Sequence, residues 1–127
     1  MDSYRFTTRS QQALSDAVAA AAAAGHPYVE PLHLLVALLG PADGVPRPLI
    51  DAAGGDPAKV TTESQAALGR LPCASGATGA ALGVARPTGA VGNAAADLAK
   101  SLGDDYVSTE HLMVGLARDG GAPVTGL

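Results

Sequence analysis

"HPYVEPLHLLVALL", residues 26–39, and "DDYVSTEHLMVGLA", residues 104–117, spell one pattern twice, and the fold follows from their relation. Gly25, Tyr28, Val29, His33, Leu34, Val36 and Leu38 are matched by Gly103, Tyr106, Val107, His111, Leu112, Val114 and Leu116 at a single offset, since 111 − 33 = 78. Identities held in one register across a helix stop, a loop and an apolar run mark an internal duplication. A long helix, a tight loop and a short apolar helix cannot bury their own apolar faces, so two copies packed face to face give a physical reason to duplicate.

Upstream of the first copy, SQQALSDAVAAAAAAG places Leu14 and Val18 four apart and then six Ala before Gly25. That is a helix of strong formers with its stop where a left-handed residue belongs. Its start is marked twice: Thr8 with Gln11 fits a capping box, and Thr7 can cap one residue earlier. Pro31 then suits a first helical position, and LHLLVALL is too long an apolar run for a typical strand, which predicts a short, deeply buried helix.

Asp43-Gly44 reads as a turn, VPRPLIDAAG as a short helix beginning near Pro46 or Pro48, and Asp56-Pro57 as the cap of a helix through about Leu71. These elements make a first four-helix repeat over about 1–71. Residues 72–85 carry no charge and several Gly, and read as a linker. The second repeat, about 86–127, opens with a long helix from about Pro87 to Leu102, whose first turn Gly89 and Gly92 weaken by about 0.5–1 kcal/mol each.

The same offset sets Leu49 opposite Leu127, so the second copy reaches the end of the sequence as its third helix begins. The expected fold is therefore an all-α, pseudo-two-fold bundle of two repeated four-helix units, the second truncated at the C-terminus. With its closing helices absent, the helix holding Leu112, Val114 and Leu116 is expected to leave part of its apolar face uncovered.

Composition bounds the function. A chain of 127 residues with net charge −4 and 47% hydrophobic positions has the balance of one domain that buries about two-thirds of its unfolded surface. One Phe, three Tyr, no Trp and an acidic balance argue against nucleic acid, which calls for basic patches and stacking rings. The lone Cys73 cannot form an internal disulfide, no run is long enough to span a bilayer, and MDSYRFTT lacks a signal peptide's layout, so a cytoplasmic setting with no membrane partner is expected.

No catalytic motif is present: the chain has no phosphate-binding loop of the G-x-x-x-x-G-K-[ST] type, no G-x-S-x-G elbow and no H-E-x-x-H helix. Gly76, Gly79 and Gly83 belong to the linker. His26, His33, Cys73 and His111 lack paired ligand spacing, so no metal site is expected, and His33 and His111 are read as neutral imidazoles satisfied by backbone carbonyls. Asp104, Asp105 and Glu110 form the densest acidic cluster, which fits either a loop end and helix start, with Ser108 as cap, or a polar rim beside an apolar groove.

MDSYRFTTRSQQAL, EPLHLLVALL, STEHLMVGLA, AALGRLP and GDDYVS together resemble the duplicated N-terminal domain of Clp-type AAA+ ATPases, most closely the ClpB disaggregase type. The likeness runs the length of the chain. It implies an eight-helix substrate-recognition module without catalysis or cofactor of its own, ATP, magnesium and a hexamer being implied only for the whole ATPase. The implied partners are exposed hydrophobic segments of unfolded or aggregated proteins.

The family's substrate-binding Thr, Asp and Glu fall on Thr7, Asp104 and Glu110, and its groove wall on Ala94, Leu98 and His111. Ala94 and His111 are smaller or more polar than the family's Leu there, which makes for a shallower groove. Two alternatives come with the resemblance: a ClpC-type domain that receives adaptor proteins or phosphorylated-arginine degrons, and a stand-alone helical adaptor.

Overall fold

A computed structural model describes residues 5–41, 44–71 and 83–119. Among them run α1 (Thr8–Ala23), β1 (Tyr28–Val29), α2 (Pro31–Leu39), α3 (Pro46–Ala52), α4 (Pro57–Gly69), β2 (Gly83–Val84), α5 (Arg86–Ser101) and α6 (Thr109–Asp119). The all-α architecture holds, and the duplication is exact in register: α5 begins and ends 78 residues after α1, and α6 begins 78 after α2.

Of the two candidate caps, Thr7 starts α1. Its Oγ1 accepts the Ser10 N–H at 3.2 Å, while Gln11 turns its amide to the Phe6 carbonyl at 2.9 Å instead of closing a capping box. The stops match as well: Gly25 at φ 71° and Gly103 at φ 74° take the left-handed conformation that side chains resist, and the next residues' amides, of His26 and Asp104, reach back to Ala21 and Ala99.

The segments read as loop and linker contribute two short parallel pairings. Tyr28 and Val29 pair with Gly83 and Val84, and Phe6 pairs with Val107. Phe6 and Val84 are themselves 78 apart, as are Val29 and Val107, so the lead-in to each long helix is stitched to the loop of the other copy. The Thr7 amide donates to Val107 O at 3.1 Å and the Ala85 amide to Val29 O at 3.2 Å, completing the exchange. No strand signal marks these positions because each pairing is two residues or fewer and needs the other copy to exist.

The core lies between the copies. Ala13, Ala17 and Ala21 of α1 and Val91, Ala95 and Ala99 of α5 are buried at four-residue spacing against Leu34 and Leu38 of α2 and Leu112 and Leu116 of α6. The expectation of a partly uncovered α6 holds at Val114, which is exposed, while Leu112 and Leu116, on the opposite side, are fully buried in the core against α5 and the helices of the other copy. Repeat one gains an outer layer in α4, which packs on α2 and leaves seven of its nine residues buried.

α5 begins at Arg86 and runs unbroken through Gly89 and Gly92, its first turn pinned where the Thr88 hydroxyl donates to Val29 O at 2.6 Å. α3 begins at Pro46, and α4 begins after Asp56, whose carboxylate accepts the amides of Ala58 and Lys59. The Asp43 half of the expected turn, residues 72–82 of the linker and Leu127 lie outside the described residues. No helix among the described residues is long and apolar enough to cross a membrane.

Candidate binding groove

The C-terminal end of α5, the loop after Gly103 and the start of α6 enclose an open hollow of about 570 Å³. Leu98, Leu102, Tyr106 and Val114 form its apolar floor and flank, and Asp104, Asp105 and Glu110 its rim. Leu98 on α5 and Leu102, the residue that caps its C-terminus, lie four residues apart on one side, and the Gly103 stop swings Asp104 and Tyr106 over to meet them. Leu102 is 63% exposed, Tyr106 51% and Val114 39%, an apolar surface that the bundle does not use for itself. A second hollow continues along α5 past Ala94, Leu98 and Asp97 to Arg118.

At the base of the first hollow, His111 is buried and tied on both ring nitrogens. Nδ1 accepts the Ser108 amide at 2.8 Å, with the Ser108 hydroxyl at 3.0 Å, and Nε2 lies 2.9 Å from Asp104 Oδ2. An acceptor Nδ1 requires the proton of the neutral ring to sit on Nε2, so Nε2–H donates to the carboxylate.

Repeat one holds the same backbone device with a different partner. His33 Nδ1 accepts the Glu30 amide at 2.8 Å, and Nε2 meets Nδ1 of buried His26 at 2.8 Å. Burial first, and the neighbouring His26 second, lower the His33 pKa from the ordinary 6.5. Both helix histidines therefore accept backbone N–H groups, a correction to the expected carbonyl partners: at the third residue of a helix the unsatisfied backbone group in reach is an amide. No three His, Cys, Asp or Glu gather into a metal-binding group among the described residues, and Cys73 lies outside them.

The sequence pattern of the Clp repeat (R) N-terminal domain matches residues 5–126. The chain belongs to the Clp N-terminal domain family. This Clp N-domain is 49% identical over 117 residues to the chaperone protein ClpB of Mycobacterium bovis, covering 92% of the chain, and 44% identical over 118 residues to ClpB of Corynebacterium diphtheriae, covering 93%. It spans 14% of the length of either relative. Its backbone is similar to the Hsp104 N-terminal domain of Candida albicans, with a TM-score of 0.78 at 18% identity over 96% of this chain and 78% of that one. It is likewise similar to the N-terminal domain of the ClpV1 ATPase of E. coli, at 0.79 and 21% over 97% and 78%. These likenesses agree with the helical repeat fold.

Of the six residues singled out from sequence, Leu98, Asp104, Glu110 and His111 meet at the first hollow, and Ala94 joins Leu98 at the second. Thr7 lines neither; its side chain caps α1 and its amide holds Val107, on the strand side of the same loop. Leu102, Tyr106 and Val114 also line the first hollow and were not named as site residues, and Asp105 and Ser108, read from sequence as part of the acidic cluster and as a helix cap, line it too. Leu102 was visible as the four-residue neighbour of Leu98. The 78-residue offset that aligns His33 with His111 also aligns His26 with Asp104, a sequence signal for the pairing at the groove's base.

Proposed function

We propose that this Clp N-domain is the substrate-recognition module of a ClpB-like chaperone ATPase, binding exposed hydrophobic segments of unfolded or aggregated proteins and passing them to the ATPase ring. The observation that carries this reading is the apolar surface of exposed Leu102, Tyr106 and Val114, continued by half-buried Leu98, beneath an acidic rim. Ala94 extends that surface along α5, Asp104 and Glu110 mark its edge, and Thr7 supports the loop from behind.

Unfolded chains present scattered apolar side chains, which such a hollow takes out of water without demanding a sequence. Covering about 200 Å² of apolar surface contributes roughly 5 kcal/mol before the client's ordering cost is subtracted. Weak, tolerant binding results, and it suits a module that must release its client. Several copies around a ring would restore avidity.

Amide NMR titration with a permanently unfolded polypeptide tests the reading. Shifts clustering at residues 94, 98 and 102–114, persisting in salt and weakened by Asp104→Ala and Glu110→Ala, are the expected result. Saturating client without shifts there would overturn it, and a preference for phosphoarginine over the unmodified peptide would move the domain to the ClpC type.

A further inference from the structure

The geometry points to His111 as a positioning residue for client binding: its Nε2–H holds the Asp104 carboxylate in one orientation at the rim of the groove, where the carboxylate meets cationic groups flanking a client's apolar residues. The inference rests on the client-binding reading above.

A lone Asp on a loop turns freely and loses side-chain entropy whenever it engages a partner. Asp104 is half exposed, yet its Oδ2 is held at 2.9 Å by a ring that is itself buried. That ring cannot rotate away, because Nδ1 is occupied by the Ser108 amide and hydroxyl. Fixing Oδ2 fixes the carboxylate plane and therefore the direction of Oδ1. A client Lys or Arg then meets an acceptor already oriented, beside Asp105 and Glu110.

The comparison within the molecule separates this role from a purely structural one. His33 makes the same amide bond in repeat one, where its outer nitrogen faces His26, a second imidazole buried in the fold. Helix capping alone is thus served by the histidine with either partner. Only the second copy couples it to an anion on the surface.

Substitution at 111 can keep or delete the two bonds. A Gln at the third helical position can accept the Ser108 amide through its oxygen and donate to Asp104 through its NH2, whereas Leu does neither. Binding of a lysine-bearing unfolded polypeptide is compared with its lysine-acetylated form for the wild type, His111→Gln and His111→Leu, each with and without Asp104→Ala. His111→Leu is expected to weaken the lysine-bearing client about three- to tenfold, the range of one net hydrogen bond. His111→Gln should stay near wild type, and in the Asp104→Ala background His111→Leu should change nothing.

An equal loss from His111→Leu without Asp104, or for the acetylated client, overturns the inference. So does an equal loss in His111→Gln whose thermal melt is unchanged. Ring ¹⁵N and Asp104 carboxyl ¹³C shifts decide it without any client: Nε2 protonated, with a carboxyl shift that moves in His111→Leu, is expected, and an Asp104 signal indifferent to residue 111 overturns it. Should those shifts behave as expected while no client binds, the client-binding reading fails and the positioning geometry stands.

Discussion

His26 and Asp104 occupy the same place in the two copies, each following a left-handed glycine and each 2.8–2.9 Å from Nε2 of the histidine seven residues on. The duplication kept the backbone of this motif and changed the charge of one member. In repeat one the result is an imidazole pair sealed in the fold; in repeat two it is an imidazole and a carboxylate that opens onto the groove.

The imidazole pair makes the fold acid-sensitive. The His33 pKa is lowered in the folded state, so between that lowered value and the ordinary 6.5 the unfolded chain binds more protons than the folded one. Stability from this group is complete above 6.5 and falls as pH drops through that window. His26→Asp gives His33 a carboxylate partner that favours the protonated ring, and should flatten or reverse the slope. Thermal melts from pH 5 to 8 check this; identical profiles for the two proteins would refute the coupling.

The helical frame was legible because its signals are local and repeated: a run of six Ala, Gly25 and Gly103 at the stops, Pro31, Pro46 and Pro57 at first turns; the four-residue spacing read at Leu14 and Val18 marked the helix but not its buried face, which is Ala13, Ala17 and Ala21 while Val18 is exposed. The paired segments were not legible, since Phe6 with Val107 and Val29 with Val84 are contacts between copies and neither strand has a pattern of its own. At the groove, Leu98 and His111 came from the resemblance, while Asp104 and Glu110 stood out first as an acidic cluster whose two readings the resemblance tipped toward binding. Tyr106 was passed over because an exposed apolar residue carries no sequence mark until the fold shows that nothing covers it, and Leu102 was passed over although its four-residue spacing from Leu98 marked it.

The two copies also differ in how closely their helices approach. A Cβ placed on Gly115 of α6 would lie 2.7 Å from the Val91 carbonyl oxygen of α5, a backbone atom that cannot swing aside. Gly115→Ala should therefore destabilise the domain by about 1–3 kcal/mol despite the better helix propensity of Ala. Urea unfolding measures it, and an increase in stability would mean that the α5–α6 contact has room to relax.

Ser64 gives the opposite case. Its hydroxyl is buried in α4 with no hydrogen-bond partner among the described residues. Ser64→Ala removes an unsatisfied polar atom and adds the best helix former, so it should be neutral or stabilise by up to about 1 kcal/mol. A loss of more than that on thermal unfolding would reveal a partner for the hydroxyl in solution.

Tyr28 and Tyr106 offer a controlled pair, repeat-equivalent and each 51% exposed. The Tyr28 ring lies over Gly83, where an added Cβ would approach it to 3.1 Å, so it serves the β1–β2 pairing. Tyr106 lies in the groove beside Leu98, Leu102 and Val114. An aromatic ring that loses about 50–100 Å² of exposed area to a client is worth roughly 1–2 kcal/mol, or about five- to thirtyfold in affinity. Tyr106→Ala should show that loss with little change in melting temperature, whereas Tyr28→Ala should leave client affinity intact and lower stability. Fluorescence anisotropy with a labelled unfolded polypeptide separates the two; equal losses in affinity would mean that the groove beside Tyr106 is not the client's site.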